Sequence, residues 1–201
     1  MRHEPLPLQS AQQRARWLSV TQLMGVIFLT LALVPAGAHL FELPNKISLA
    51  PSDYMIVQAS YRGWALFGVV VAGAIVMSGL HAYLVRASRP AWRWSLVALG
   101  CIAATQIVFW TFTFPINVLT DNWTTMPADL DWARRQWEFS HAAASAFNLA
   151  ALVALVLSIQ ASRPYMGAGI IEAIGKDVEA RMARDRALNG NGTNGAGFAR
   201  V

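Results

Sequence analysis

The chain has 201 residues, of which 55% are hydrophobic and 13% charged, with a formal net charge of +5, a mean hydropathy of +0.39 and a pI near 10.0. Soluble globular domains carry about a quarter charged residues, so this composition belongs to a membrane protein. The lone Cys101 excludes an intramolecular disulfide framework and a thiolate metal cluster.

Residues 1–17 form a polar N-tail with Arg2, Arg14 and Arg16. The first apolar stretch follows over 18–38; its basic flank and its Ala36-Gly37-Ala38 end resemble a cleavable leader, but the apolar core is long for one, and an intact helix is expected. Pro51-Ser52-Asp53 is a helix-start signature, so the second span is expected to begin early and to carry Tyr54, Gln58 and Tyr61 on one face above the membrane. Further apolar stretches cover 63–85, 94–116 and 137–161. Of the 27 charged residues only Glu138 lies inside the four stretches. Each exceeds the ~18 apolar residues of a candidate span, and in lipid only a helix or a closed barrel satisfies its own backbone. The alternating ten-residue segments of a barrel are absent.

The predicted fold is therefore all-α: a polytopic four-transmembrane-helix bundle over 18–161, between the N-tail 1–17 and a tail 162–201. In that tail Ile170, Ile171, Ile174 and Val178 recur at helical spacing among charged residues, which predicts a short amphipathic helix on the cytoplasmic surface. From about residue 189 the Asn- and Gly-rich composition predicts disorder.

Lys and Arg are unevenly shared. Twelve lie in the N-tail, in the loop between spans two and three (Arg86, Arg89, Arg93) and in the C-tail, against Lys46, Arg62, Arg134 and Arg135 in the other two loops. The positive-inside rule then puts both termini in the cytoplasm, as a multi-pass protein of a bacterial inner membrane, and the basic excess needs no nucleic-acid partner. Trp17, Trp64, Trp92, Trp94, Trp123, Trp132 and Trp137 fall at or just beyond the span ends, where interfacial aromatics belong.

That topology gathers polar residues at the outer face: His39 and Glu42 after span one, Asn117 after span three, Glu138 and His141 at the start of span four. At 100° per residue, Glu138, His141, Ser145 and Asn148 fall within about 80° on span four, and Gln106, Trp110, Thr113 and Asn117 within about 60° on span three. Gln106 and Asn148 sit near the midplane, where either a cross-helix hydrogen bond or a ligand would use them. Ala142, Ala146, Ala150 and Ala154 form a small-residue packing ridge, and His81 reads as a snorkelling residue or a partner-helix contact. His39 with Glu42 and Glu138 with His141, each at i,i+3, are either ion pairs steadying helix ends or parts of a site.

As a site, His141 and His39 are candidate general bases, Glu138 and Glu42 their orienting partners, and Asn117 an oxyanion donor. Tyr61, Gln58, Trp110, Gln106, Asn148 and Trp137 are candidate substrate contacts for a lipophilic molecule with one or two polar groups. No cofactor is predicted. The alternative chemistry is a mononuclear Fe, Cu or Zn on His39, His141, Glu138 and Glu42.

The segment Ala38-His-Leu-Phe-Glu-Leu-Pro-Asn-Lys-Ile47, Tyr54-x3-Gln58-x2-Tyr61, Phe114-Pro-Ile-Asn-Val-Leu119 and Trp137-x3-His141 together resemble the anthrone-oxygenase-like family of four-helix integral membrane proteins. The resemblance covers about residues 18–161, and Pro115, Asn117, Trp137 and His141 match its motif positions. It implies oxidation of a polyketide anthrone to a quinone by molecular oxygen, without metal or flavin, through a carbanion that passes an electron to oxygen. The expected function is a membrane oxidoreductase of oxygenase type acting on a lipophilic aromatic or quinone-like substrate. The alternative is a non-catalytic membrane subunit or assembly partner, binding lipid or quinone and docking other subunits or copies of itself.

Overall fold

A computed structural model describes residues 7–192, among which there is no β-strand. Four helices are long and apolar enough to cross a bilayer, as the hydropathy requires. Helix α1 covers Pro7–Lys46 and α2 Pro51–Ala59. Helix α3 is Phe67–Leu84 after a 3-10 turn over Trp64–Leu66, α4 is Arg89–Val108, α5 is Phe114–Leu119 and α6 is Leu130–Gly192. The described chain divides into two units: residues 20–162, and residues 7–19 together with 163–192.

Within 20–162 the helices meet through small residues. Ala74, Ala98, Ala151 and Ala154 are at most 2% exposed and pack with Leu29, Ile102 and Leu155, so that α1, α3, α4 and α6 all contribute to one core. In lipid, close backbone approach through such residues replaces the hydrophobic drive that operates in water. The ridge expected at Ala142, Ala146, Ala150 and Ala154 is only partly used: Ala146 and Ala150 face outward, and Ala151 and Ala154 make the contact. The outward faces are apolar, with Leu23, Val69, Ile107 and Leu149 all more than half exposed, as a lipid-facing surface must be. Gly73 marks the tightest approach, because a Cβ there would lie 2.7 Å from the Phe28 ring. Gly73→Ala is expected to lower stability by about 1–3 kcal/mol, read as a fall in the thermal midpoint of the purified protein in detergent.

Two local departures from the expected helices shape the site. Helix α2 forms where the Pro51 and Asp53 start signature falls, but it does not run on into the second span: residues 60–63 turn, and Gly63 adopts φ 89°, a left-handed conformation that favours glycine. Between α4 and α5, residues Phe109–Thr113 form a π-helical turn. Pro115 follows it and has no N–H to give the ladder, and the Gln136 side-chain amide donates to the Phe112 carbonyl over 3.1 Å.

Buried polar contacts join the helices elsewhere. Thr113 and Ser140 hydroxyls pair at 2.7 Å, and Gln22 reaches Ser162 at 3.2 Å. His81 is fully buried, its Nε2 2.8 Å from the Ser158 hydroxyl, which in turn meets Ser95 and donates to the Ala91 carbonyl. His81 is thus a partner-helix contact and does not snorkel.

In the second unit α6 continues through Pro164 to Gly192, so the expected separate amphipathic helix is an extension of the fourth span, and the helix persists past residue 189. The rest of the stretch expected to be disordered lies outside the described residues. Ala173 and Asp177 are buried there, with Asp177 accepting from Arg181 at 2.9 Å, while Ile171, Ile174, Val178 and Met182 are exposed.

Candidate functional site

The expected polar residues gather at the end of the bundle that carries α2, but their pairing differs from the expected one. Helix α1 does not stop near Ala38: it runs to Lys46, which places His39, Glu42 and Lys46 at i, i+3 and i+7 on one face. Lys46 is only 3% exposed and Glu138 is wholly buried, and their Nζ and Oε1 atoms are 2.9 Å apart. Two buried unit charges are tolerated only when paired and hydrogen-bonded.

The remaining partners follow from the donor and acceptor inventory. Gln58 donates to the Tyr54 hydroxyl at 2.6 Å, and Tyr54 donates to Glu138 Oε1 at 2.9 Å. Lys46 donates to the Tyr61 hydroxyl at 3.0 Å, and Tyr61 donates to the Glu42 carboxylate, which also lies 3.6 Å from Lys46. These donors converge on the Glu138 and Glu42 carboxylates, either directly or through the Tyr54 and Tyr61 hydroxyls. Burial, together with the Glu138 charge, pushes the Tyr54 phenol above its ordinary pKa; burial and the hydrogen bond to Glu42 do the same for Tyr61. Both phenols therefore remain donors at neutral pH.

The expected i,i+3 pairs of histidine with carboxylate do not form. Among the described residues no histidine lies within 4.0 Å of a carboxylate oxygen: Glu138 is held by Lys46 and Tyr54, and Glu42 by Lys46 and Tyr61. The two histidines instead meet each other, with ring centroids 4.3 Å apart, inside an aromatic wall. His39 lies 4.4 Å from Tyr61, 4.8 Å from Trp137 and 5.6 Å from Trp64, and His141 lies 3.9 Å from Trp137. His141 Nδ1 is 2.9 Å from the Trp137 carbonyl. A carbonyl only accepts, so Nδ1 carries the proton and Nε2 of the neutral ring is left with its lone pair, the form a general base requires.

Asn117 accepts from the Trp137 indole N–H at 2.8 Å. Its oxygen orients Trp137, and its NH₂ keeps the donor capacity that the expected oxyanion role requires. Of the expected substrate contacts, Tyr61, Gln58 and Trp137 join the site. Trp110 does not: it is 59% exposed, because the π-helical turn throws it out of the phase that a regular helix gives. Gln106 bonds its neighbour Thr105 at 3.3 Å and makes no hydrogen bond to Asn148, which lies on the buried face of α6. For the metal alternative on His39, His141, Glu138 and Glu42, no group of three or more His, Cys, Asp or Glu side chains placed to hold a metal ion is found among the described residues.

Three residues of the site escape a hydropathy reading. Lys46 counts there as a loop charge, yet its Nζ lies 4.4 Å from the Tyr61 ring centroid and 5.2 Å from that of Trp137. Arg134 also counts as a loop charge, but it is 8% exposed, donates to the Leu49 carbonyl at 2.7 Å, pairs with Asp131 and lies over the Tyr54 ring. Trp123 reads as an interfacial aromatic, but it is 6% exposed and packs between Tyr54 and Trp137. The i,i+4 spacing of Glu42 and Lys46 was the one available signal, and it needed α1 to continue through Pro44.

Fold and site together define a multi-pass four-helix membrane protein with a buried ion pair and two touching histidines, enclosed by aromatic rings, at one end of the bundle. Comparison with protein-family models, curated proteins and solved structures finds no match to this chain.

Proposed function

We propose that this protein is a membrane oxidoreductase of oxygenase type, acting on a lipophilic aromatic or quinone-like substrate at the α2 end of the bundle. The observation that carries the reading is the His141 imidazole, held by the Trp137 carbonyl in the tautomer that leaves Nε2 a base, against His39 and inside walls of Trp and Tyr. An aromatic enclosure accepts a planar apolar ring, and a fixed base removes a proton from an acidified carbon. With molecular oxygen as oxidant, a methylene next to a carbonyl loses its proton to His141 and its electrons to oxygen, becoming a carbonyl with release of water. This is the chemistry that the anthrone-oxygenase-like resemblance implies. His39 is the second base, and Lys46, Glu138 and Tyr54 fix the floor of the site.

The same reading places the α2 end at the outer face of a bacterial inner membrane, with both termini cytoplasmic. The loop count supports it, and burial strengthens it: of the four cations on the α2 side, Lys46 and Arg134 are internally paired, leaving Arg62 and Arg135 exposed. The test is oxygen uptake by the purified chain supplied with polycyclic hydroxyaromatic ketones. The expected result is one oxygen consumed per product, which has gained one oxygen atom and lost two hydrogens; no substrate-dependent uptake across that class would refute the assignment.

A second reading, a non-catalytic subunit that holds lipid or quinone and docks other membrane subunits or copies of itself, is favoured by the exposed row Ile171, Ile174, Val178 and Met182 in the α6 extension. It predicts co-purification with other subunits that survives removal of both His39 and His141.

A further inference from the structure

Between Thr120 and Asp129 the chain has no helix, and Trp123 and its neighbours do something the rest of that loop does not require. Asp121, Asn122 and Trp123 are all left-handed, at φ 45°, 54° and 64°. Asp and Asn tolerate this conformation through local side-chain hydrogen bonds, but a bulky tryptophan does not. Residues 121, 122, 124, 125, 126, 128 and 129 are exposed, whereas Trp123 is 6% exposed. The loop is pinned at its base, with Asn122 N–H donating to the Asn117 carbonyl at 2.7 Å and Trp123 N–H to the Thr120 hydroxyl at 3.1 Å. An exposed loop thus adopts an unfavourable backbone in order to place one indole inside the site, where its ring centroid lies 5.3 Å from that of Tyr54 and 5.6 Å from that of Trp137. Strained residues of this kind concentrate at ligand clamps.

The indole N–H is also uncommitted. Trp123 Nε1 is buried and has no hydrogen-bond partner, although a buried indole donor ordinarily finds one. Trp137, beside it, shows the ordinary case, since its own N–H is taken by Asn117.

We infer that Trp123 is the ligand-binding cap of this site, and that its indole N–H donates to a carbonyl or phenolic oxygen of the bound aromatic molecule. The inference rests on the reading of the site as one for a quinone-like ligand and adds the residue that recognises the ligand's oxygen. The ring covers the apolar body of the ligand while the N–H discriminates an oxygenated ring from a bare hydrocarbon, because the unliganded donor stays buried and unpaired.

The test titrates the ¹⁵N-tryptophan-labelled full chain in detergent with decylubiquinone, and separately with an alkylbenzene of similar size. The expected result is a downfield shift of the Trp123 indole proton with the quinone and none with the hydrocarbon. Trp123→Phe, which keeps a packing ring and removes the donor, is expected to weaken quinone binding about fivefold and leave hydrocarbon binding unchanged. If the Trp64 and Trp137 indoles respond to the quinone while Trp123 does not, the inference falls and the quinone-like reading stands. If no indole responds to either probe, both fall. Should Trp123→Phe fail to fold, the wild-type titration decides, with the Trp123 indole assigned through its own backbone resonances.

Discussion

Lys46→Met is expected to destabilise the protein by about 3–5 kcal/mol, the largest single effect anticipated away from chemistry. The loss is not mainly that of the Lys46 contact. Glu138 is fully buried, accepts from Lys46 and Tyr54 through Oε1, and has no partner for Oε2. Without the ammonium group the carboxylate stays in a low-dielectric interior with one phenol as support. Tyr61 and Glu42 lose their shared donor at the same time. The double variant Lys46→Met with Glu138→Leu removes both charges and is expected to recover most of the loss, because apolar residues of similar volume replace a buried pair at little net change. Thermal unfolding of the three variants in one detergent measures this. A Lys46→Met midpoint equal to that of the parent would show that the pair contributes nothing, and a double variant as poor as the single would show that packing rather than charge is responsible.

His141→Gln is expected to lower turnover by 10²- to 10⁴-fold, the range by which a positioned general base contributes. Glutamine keeps an amide N–H to offer the Trp137 carbonyl and a similar length, but it cannot accept a proton, so the variant separates base chemistry from support of the helix. The thermal midpoint is expected to change little, because His141 is only partly buried and its one hydrogen bond is to its own helix. His39→Gln reports on the second imidazole, whose Nδ1 is buried without a partner. A fall in rate with His141→Gln and not with His39→Gln assigns the base to α6. Undiminished turnover in His141→Gln would remove His141 from the mechanism.

The number of spans and their helical class were legible because lipid leaves the backbone no alternative: a long apolar run without charges closes its hydrogen bonds internally. The gathering of His39, Glu42, Glu138 and His141 at one end followed from depth alone, since spans one and four run in opposite directions and these residues lie at their shared end. The pairing did not follow. Helical spacing matched His39 with Glu42 and Glu138 with His141, yet each carboxylate had a better partner in a cation, because a full charge offsets desolvation more than a neutral imidazole does. Trp110 was misplaced for a different reason. Phase arithmetic at 100° per residue holds only while the helix is regular, and the turn over Phe109–Thr113 breaks it.

The residues alone thus determined a four-span helical membrane protein with His39, Glu42, Glu138 and His141 at one end, because hydropathy and length are local properties that a bilayer reads directly. Only the tertiary structure decided that Lys46 belongs to Glu138, that Asn117 orients Trp137, and that a strained loop brings Trp123 into the site. Those choices join segments far apart in the chain, and each is settled by competition among several nearby donors and acceptors for one buried partner, which no periodicity along a single helix encodes.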